Sequence, residues 1–191
     1  MSTLKHLAAS VVAMFIATGC ATPQQTPVRY GVGSEPTVAD IRAWNIDVTP
    51  DGAGLPEGAG TVAQGRTLFT QKCSACHGAD GEGGPGGRLT GGKGTLATPK
   101  PVLTVGSFWP YATIVYDYVN RAMPYDKPQS LKPDEVYALS AFLLYQNGVI
   151  GADAVMNAQT LPKVVMPNRN GFTAVDPRPD VHGSRCMQDC K

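Results

Sequence analysis

The sequence predicts a helical, loop-rich fold with few strands. Apolar residues recur at helical spacing in four separate segments, which is the pattern of helices that bury one face. The 22 glycines and 16 prolines make up about a fifth of the 191 residues, and both residue types interrupt regular structure. A core so divided by loops needs a further body to pack around, and a large apolar cofactor would supply one.

The first two predicted helices precede a glycine-rich loop. Residues 36–45 have helix-start signals, with Ile41 and Trp44 on the apolar face. A second apolar stripe runs through residues 62–76 and includes Gly65. Because a glycine inside a helix costs about 1 kcal/mol relative to alanine, Gly65 predicts the close approach of another helix.

The last two predicted helices are bounded by prolines. One spans about residues 110–122 and must end near Met123, because Pro124 disfavours helical geometry in the residue before it. The other begins at Pro133, is acidic in its first turn and ends at Asn147-Gly148.

The N-terminus has the pattern of a bacterial targeting segment. Lys5 and His6 precede an apolar run that is too short for a membrane-spanning helix, which needs about 20 residues, but suits a signal-peptide core. The run ends in Ala17-Thr18-Gly19-Cys20, which resembles a lipobox. We therefore expect residues 1–19 to be removed and Cys20 to be lipidated, which would place the protein in the periplasm, on a membrane through its lipid alone. Ordinary cleavage nearby and a retained anchor are the alternatives.

One short motif carries most of the chemistry. Cys73-Ser74-Ala75-Cys76-His77 fits C-x-x-C-H, the attachment signature of c-type haem. The two-residue gap lets both thiols reach one edge of the ring, and the next residue brings an imidazole to the iron. A thioredoxin-like redox pair is expected near a βαβ pattern, and a zinc site needs a second ligand pair; the sequence has neither. The motif predicts one covalent haem c on Cys73 and Cys76, with His77 as iron ligand.

The motif and its flanks resemble a class I cytochrome c over residues 60–147. The matching parts are Gly65 and Phe69 for the N-terminal helix, residues 73–78 for the haem motif, Met123-Pro124 for the distal-ligand loop and residues 137–145 for the C-terminal helix. The resemblance implies an all-α fold around one haem, with its first and last helices crossing. It also implies that Pro85 supplies the carbonyl that accepts a hydrogen bond from His77.

Met123 is the predicted second iron ligand. It lies between two helices and before a proline, where the family places its methionine, and a thioether stabilises ferrous iron. A Met123 that only fills the core is one alternative; other candidate ligands are Met156, Met166, Met187 and His182. Because two protein ligands leave no open iron position, we expect an electron-transfer protein without catalytic residues of its own.

Five further side chains are candidates for the haem propionates. Trp109, Tyr111 and Tyr125 qualify because a buried indole or phenol needs a polar partner. Arg88 and Arg121 qualify through their charge. Ordinary packing and surface positions are the alternatives for all five.

The remaining cysteines and the ends of the chain complete the organisation. Cys186 and Cys190 are left over from the five cysteines and are expected to form a disulfide outside the cytoplasm; free thiols, a metal site and sulfur redox chemistry are alternatives. We expect a tether and N-terminal arm over residues 20–59, a cytochrome domain over 60–150 and a loop-rich C-terminal extension over 151–191.

A narrower resemblance covers about residues 30–191. Residues 43–48, 104–113 and 161–169 resemble the cytochrome subunit of bacterial sulfane/sulfite dehydrogenases. In that family a molybdenum-cofactor subunit oxidises sulfur and passes electrons to the haem, which implies a molybdopterin subunit as partner and a downstream cytochrome or oxidase as acceptor. This chain differs from the two-haem members in having a single C-x-x-C-H motif. The alternative is a free-standing carrier between a respiratory complex and an oxidase.

The net charge bounds the possible partners. A formal charge of +1 provides no basic field for nucleic acid. It also disfavours strong electrostatic steering of a redox partner, so we expect docking through an apolar patch near residues 74–75 and 123–125.

Overall fold

The computed structural model describes residues 30–172. The chain divides into two compact units, Met1–Val38 and Ala39–Lys191, and of the first only residues 30–38 are described. The predicted signal peptide and residues Cys20, His182, Cys186, Met187 and Cys190 lie outside the described range. Within residues 30–172, no helix is long and apolar enough to cross a lipid bilayer.

Regular structure in the described range is mainly helical, as predicted. The helices are α1 (Val38–Trp44), α2 (Val62–Lys72), α3 (Ser74–His77), α4 (Ala112–Ala122) and α5 (Pro133–Gln146); the strands are β1 (Ala59–Thr61) and β2 (Val155–Asn157), and a 3-10 turn spans Leu161–Lys163. The four predicted helical segments are confirmed, except that the second one breaks at Cys73 into α2 and α3.

Local signals fix where the helices begin. The hydroxyl of Thr61 accepts a hydrogen bond from the backbone N–H of Gln64, and the Gln64 side chain accepts one from the N–H of Thr61. This reciprocal pair caps α2. At the start of α5, the carboxylate of Glu135 accepts from the N–H of Lys132 at 2.8 Å, beside a proline at the first helical position.

The core is centred on the contact between α2 and α5. A Cβ at Gly65 would lie 1.9 Å from the carbonyl oxygen of Ala138, so only glycine fits there, and the predicted close helix approach is confirmed. Phe69 and Phe142 pack across the same contact, with ring centroids 5.1 Å apart. Residues 136–144 of α5 are all buried, as in a helix surrounded by its own domain.

The segment after α5 contributes to this core. β2 pairs antiparallel with β1, so that Gly60 lies opposite Met156. Met156, Leu161 and Met166 are all buried in the same cluster as the helical residues. Packing therefore does not stop at residue 150, where the sequence places the end of the domain. Isolated apolar residues between turns carry no periodicity, so their burial could not be predicted from the sequence pattern.

The apolar residues of α1 remain on the surface. Ile41 is 50% exposed and Trp44 is 87% exposed, although the sequence places them on one helix face. The connector that follows, residues 45–58, is held to the helices by hydrogen bonds from Val48 to Asp117 and from Tyr137 to Pro56, and it packs Val48 and Leu55 against the core.

Candidate functional site

A cavity of about 740 Å³ lies between α2, α4, α5 and the loops that join them. Its volume is within the roughly 300–1,000 Å³ of small-molecule and cofactor sites. Much of its lining is apolar and includes Phe69, Val105, Val115, Val119, Leu131, Leu139 and Leu143. Cys73, Cys76, His77 and Met123 also line it. The structure thus brings together the four predicted haem-binding residues.

The two thiols of the motif lie at the junction of α2 and α3. Cys73 is half-buried, Cys76 is exposed, and neither is in a disulfide. The N–H groups of Cys76 and His77 both donate to the carbonyl of Cys73, at 3.1 and 3.0 Å, which makes α3 a single tight turn. Burial raises the pKa of the Cys73 thiol to about 11. Reactive redox pairs contain a cysteine with a lowered pKa, so this environment disfavours the thioredoxin-like alternative.

His77 is oriented by the glycine-rich loop. Its Nδ1 donates to the carbonyl of Gly87 at 2.7 Å, which leaves the Nε2 lone pair available for a metal. The predicted acceptor, Pro85, is therefore wrong by two residues. The loop turns back at Gly86, whose N–H donates to the carbonyl of Cys76 at 2.7 Å, and this places the next carbonyl against the ring.

Met123 lies where α4 ends. Its N–H donates to the carbonyl of Val119 at 3.1 Å, while its own backbone is already extended, at φ −123° and ψ 148°. The predicted helix end before Pro124 is confirmed. The alternative ligands Met156 and Met166 are only 4% and 1% exposed and do not line the cavity, so within the described residues Met123 is the better placed methionine.

Three of the five propionate candidates line the cavity. Trp109, Tyr125 and Arg88 are part of its wall, whereas Tyr111 and Arg121 are not. The guanidinium of Arg169 lies over the ring of Tyr111, with its Cζ 4.3 Å from the ring centroid. Arg121 pairs with two aspartates, and its hydrogen bonds to Asp117 and Asp47 raise the pKa of its guanidinium.

The sequence did not single out Tyr118 as a site residue, although it lines the cavity. Its ring packs edge-on against Trp109, with centroids 5.7 Å apart. The available signal was spacing, because Val115, Tyr118 and Val119 form a helical stripe that continues into Met123.

The loop of residues 102–107 is held by buried polar side chains. The hydroxyl of Thr104 donates to the carbonyl of Gly91 and that of Ser107 donates to the carbonyl of Val102, each at 2.6 Å. The N–H of Thr104 donates in turn to Ser107 Oγ at 2.9 Å. These side chains supply hydrogen bonds to backbone groups that have no helix or strand partner. They also hold Thr104 in the cavity wall.

The donor set of the cavity fits a covalently attached haem. Two thiols stand next to an imidazole with a free Nε2, a thioether lies in the same wall, and much of the remaining lining is apolar. Within residues 30–172, no three His, Cys, Asp or Glu side chains cluster to hold a metal ion.

Comparisons with known proteins match this arrangement. The family model for cytochrome c matches residues 62–147, which include all four predicted haem-binding residues. A chain in the crystal structure of the sulfane dehydrogenase SoxCD from Paracoccus pantotrophus is similar to this one, with 43% sequence identity and a TM-score of 0.74. That similarity covers 85% of this chain and 83% of the other, about twice the length matched by the family model. A search of curated proteins finds no match.

Proposed function

The chain belongs to the cytochrome c family, and we propose that it is a mono-haem cytochrome that accepts electrons from a sulfur-oxidising molybdenum dehydrogenase. The family binds haem c covalently and transfers electrons. The observation that carries the finer proposal is the similarity to the sulfane dehydrogenase chain, because it extends far beyond the cytochrome c domain. A carrier that shared only the haem fold would resemble that chain over the domain alone.

In this proposal each of the four cavity residues has its own task. Cys73 and Cys76 form the two thioether bonds, and His77 and Met123 bind the iron. When bound, the haem supplies one-electron redox chemistry. Gly87 keeps His77 in the tautomer whose Nε2 can bind a metal, and the apolar side chains limit the access of water. One haem per chain follows from the single C-x-x-C-H motif.

We place the protein in the periplasm, anchored by a lipid on Cys20, after removal of residues 1–19. The residues that support this are those of the predicted targeting segment. A disulfide between Cys186 and Cys190 suits the same compartment. Both assignments concern residues outside the described range.

The partner surface is proposed at the mouth of the cavity. Cys76 is exposed there, and Tyr125 is 87% exposed while also lining the cavity. A formal charge of +1 provides little long-range attraction, so contact area has to supply the affinity. A lasting subunit interface buries more than the roughly 1,200 Å² of transient redox encounters.

Co-expression with a molybdopterin dehydrogenase from the same genome tests the partner. We expect the two proteins to co-elute at moderate salt, and the haem to be reduced when sulfite or a sulfane-sulfur compound is added. Truncation after Phe172 removes residues 173–191 and spares the described core. We expect the truncated chain to co-elute less well, because the removed residues extend the proposed interface. A haem that is reduced equally well by an unrelated respiratory complex, without co-elution, would support the free-carrier alternative instead.

A further inference from the structure

An ion network lies beside the end of α4 and connects three side chains. Arg121 Nη2 donates to Asp47 Oδ1 at 2.6 Å and to Asp117 Oδ1 at 2.9 Å. Its Nε also donates to Asp117 Oδ2, at 3.3 Å. Asp117 Oδ1 accepts a further hydrogen bond from the backbone N–H of Val48, at 3.2 Å. Two of these four hydrogen bonds, Arg121 to Asp47 and Val48 to Asp117, join the end of the helix to the connector; the other two link Arg121 and Asp117 within α4.

The position of this network relates it to Met123. Arg121 is in the last turn of α4, two residues before Met123. The N–H of Met123 makes a helical hydrogen bond to Val119, and the chain is extended from that residue on. Helix ends fray because their last groups lack partners further along the helix. A change in this turn would therefore move Met123 directly.

The connector gives the network a fixed point outside the helix. Its turn is closed by the N–H of Thr49, which donates to the carbonyl of Ala53 at 3.0 Å. A Cβ at Gly54 would lie 2.0 Å from the carbonyl oxygen of Asp47, so the turn is tightly closed on that residue. At its far end, the hydroxyl of Tyr137 donates to the carbonyl of Pro56 at 2.8 Å, which attaches the connector to α5.

Helix stability alone does not require this arrangement. Asp117 and Arg121 are four residues apart, and such a pair by itself stabilises a helix only slightly. Asp47 comes from a segment 74 residues away in sequence and adds a tertiary bond to the same guanidinium. Its effect is to fix the end of α4 relative to α5 and the cavity wall.

We infer that Asp47 and Arg121 are positioning residues that keep Met123 directed into the cavity as an iron ligand. This inference rests on the proposed function, because it assumes that Met123 binds the haem iron. It adds a role for the N-terminal connector, whose Asp47 restrains opening of the methionine side of the site.

The test is competition between Met123 and added imidazole in the ferric holoprotein. Imidazole displaces the methionine, and the loss of the weak near-infrared-edge methionine band reports the exchange. Asp47→Asn removes a charge-assisted hydrogen bond between groups that are 40% and 75% exposed, for which about 0.2–1 kcal/mol is typical. We expect imidazole to bind about 1.4- to fivefold more tightly, since a tenfold change corresponds to about 1.4 kcal/mol.

Three controls separate positioning from general stability. Asp47→Glu keeps the charge and should stay near the wild-type affinity. In an Arg121→Gln background, Asp47→Asn should have no further effect, because their interaction is already lost. Glu135→Gln breaks the 2.8 Å ion pair with Lys72, which joins α5 to α2 and involves neither α4 nor the connector, and should lower thermal stability without changing imidazole affinity.

The outcomes distinguish this inference from the proposal beneath it. A wild-type protein without the methionine band, or a Met123→Ala variant that retains it, overturns the ligand assignment and the inference together. A methionine band that depends on Met123, combined with unchanged imidazole affinity in Asp47→Asn, overturns the inference alone. An equal rise in affinity in Glu135→Gln also overturns it, because the effect would then be one of stability.

Discussion

The His77 wall and the Met123 wall of the cavity are built by different means. The wall around His77 is held by backbone hydrogen bonds. The N–H of Gly83 donates to the carbonyl of His77 at 2.8 Å, and that of Gly86 donates to the carbonyl of Cys76 at 2.7 Å. On the other wall, Met123 ends a helix whose last turn is held to the connector through Arg121.

The difference predicts which wall responds to conditions. Backbone hydrogen bonds and glycine contacts do not depend on ionic strength, whereas an exposed ion pair weakens as salt screens it. High salt should therefore loosen the methionine side before the histidine side. A glycine-built wall responds instead to added side-chain volume, because its loop packs directly against the His77 ring.

The largest expected effect is on the methionine wall itself. Met123→Ala should abolish the methionine charge-transfer band and lower the reduction potential, because a thioether favours ferrous iron. The haem should remain covalently bound, since the other wall is untouched. Absorption spectra and a redox titration measure both quantities.

Met166→Leu is the matched control for this substitution. Met166 is 1% exposed in the core and does not line the cavity, so the band should persist while stability falls by less than about 1.5 kcal/mol. Loss of the band in Met166→Leu but not in Met123→Ala would reverse the ligand assignment.

A smaller effect is expected when volume is added to the histidine wall. A Cβ at Gly86 would lie 2.9 Å from His77 Cε1, whereas one at Gly87 would meet nothing within 4 Å. Gly86→Ala should cost about 1–3 kcal/mol of unfolding free energy and shift the haem spectrum, as overpacking does. Gly87→Ala should stay within about 0.5 kcal/mol of the wild type in denaturant unfolding. Equal behaviour of the two variants would contradict the backbone-built wall.

The smallest expected effect is that of Glu135→Gln, which should change the free energy of unfolding but not the binding of Met123. Hydrogen bonds from the Lys132 backbone and from Lys72 lower the pKa of the Glu135 carboxyl. A lowered folded-state pKa adds stability above the unfolded value of about 4.3, and this stability is lost as the pH falls through the folded pKa. Glu135→Gln can keep the hydrogen bond from the Lys132 N–H but loses the charge, so it should cost about 0.2–1 kcal/mol at pH 7 and progressively less below about pH 4.3. Thermal unfolding at several pH values measures it; a cost independent of pH would show that the charge is not involved.

The contrast between the walls also marks how far the sequence could predict the site. The haem motif, Gly65 and the end of α4 before Pro124 were all readable, because each depends on neighbouring residues or on helical period. The acceptor of His77 was misplaced at Pro85, because a glycine-rich loop has no periodicity from which its path follows.

Long-range partners account for the other differences. Tyr111 and Arg121 were reasonable propionate candidates, but Arg169 and Asp47 engage them from distant parts of the chain. The burial of Leu161 and Met166 likewise depends on how a turn-rich segment returns to the helices. Such pairings result from tertiary packing and leave no local pattern.

The most direct test of the account is the haem content of the purified chain after acid-acetone extraction. Because Cys73 and Cys76 form thioether bonds in this account, one haem per chain should remain with the protein and give a thioether-type pyridine haemochrome. Substituting both cysteines with serine should release it. Haem that extracts freely from the wild-type chain, or zinc bound in its place, would contradict the central claim.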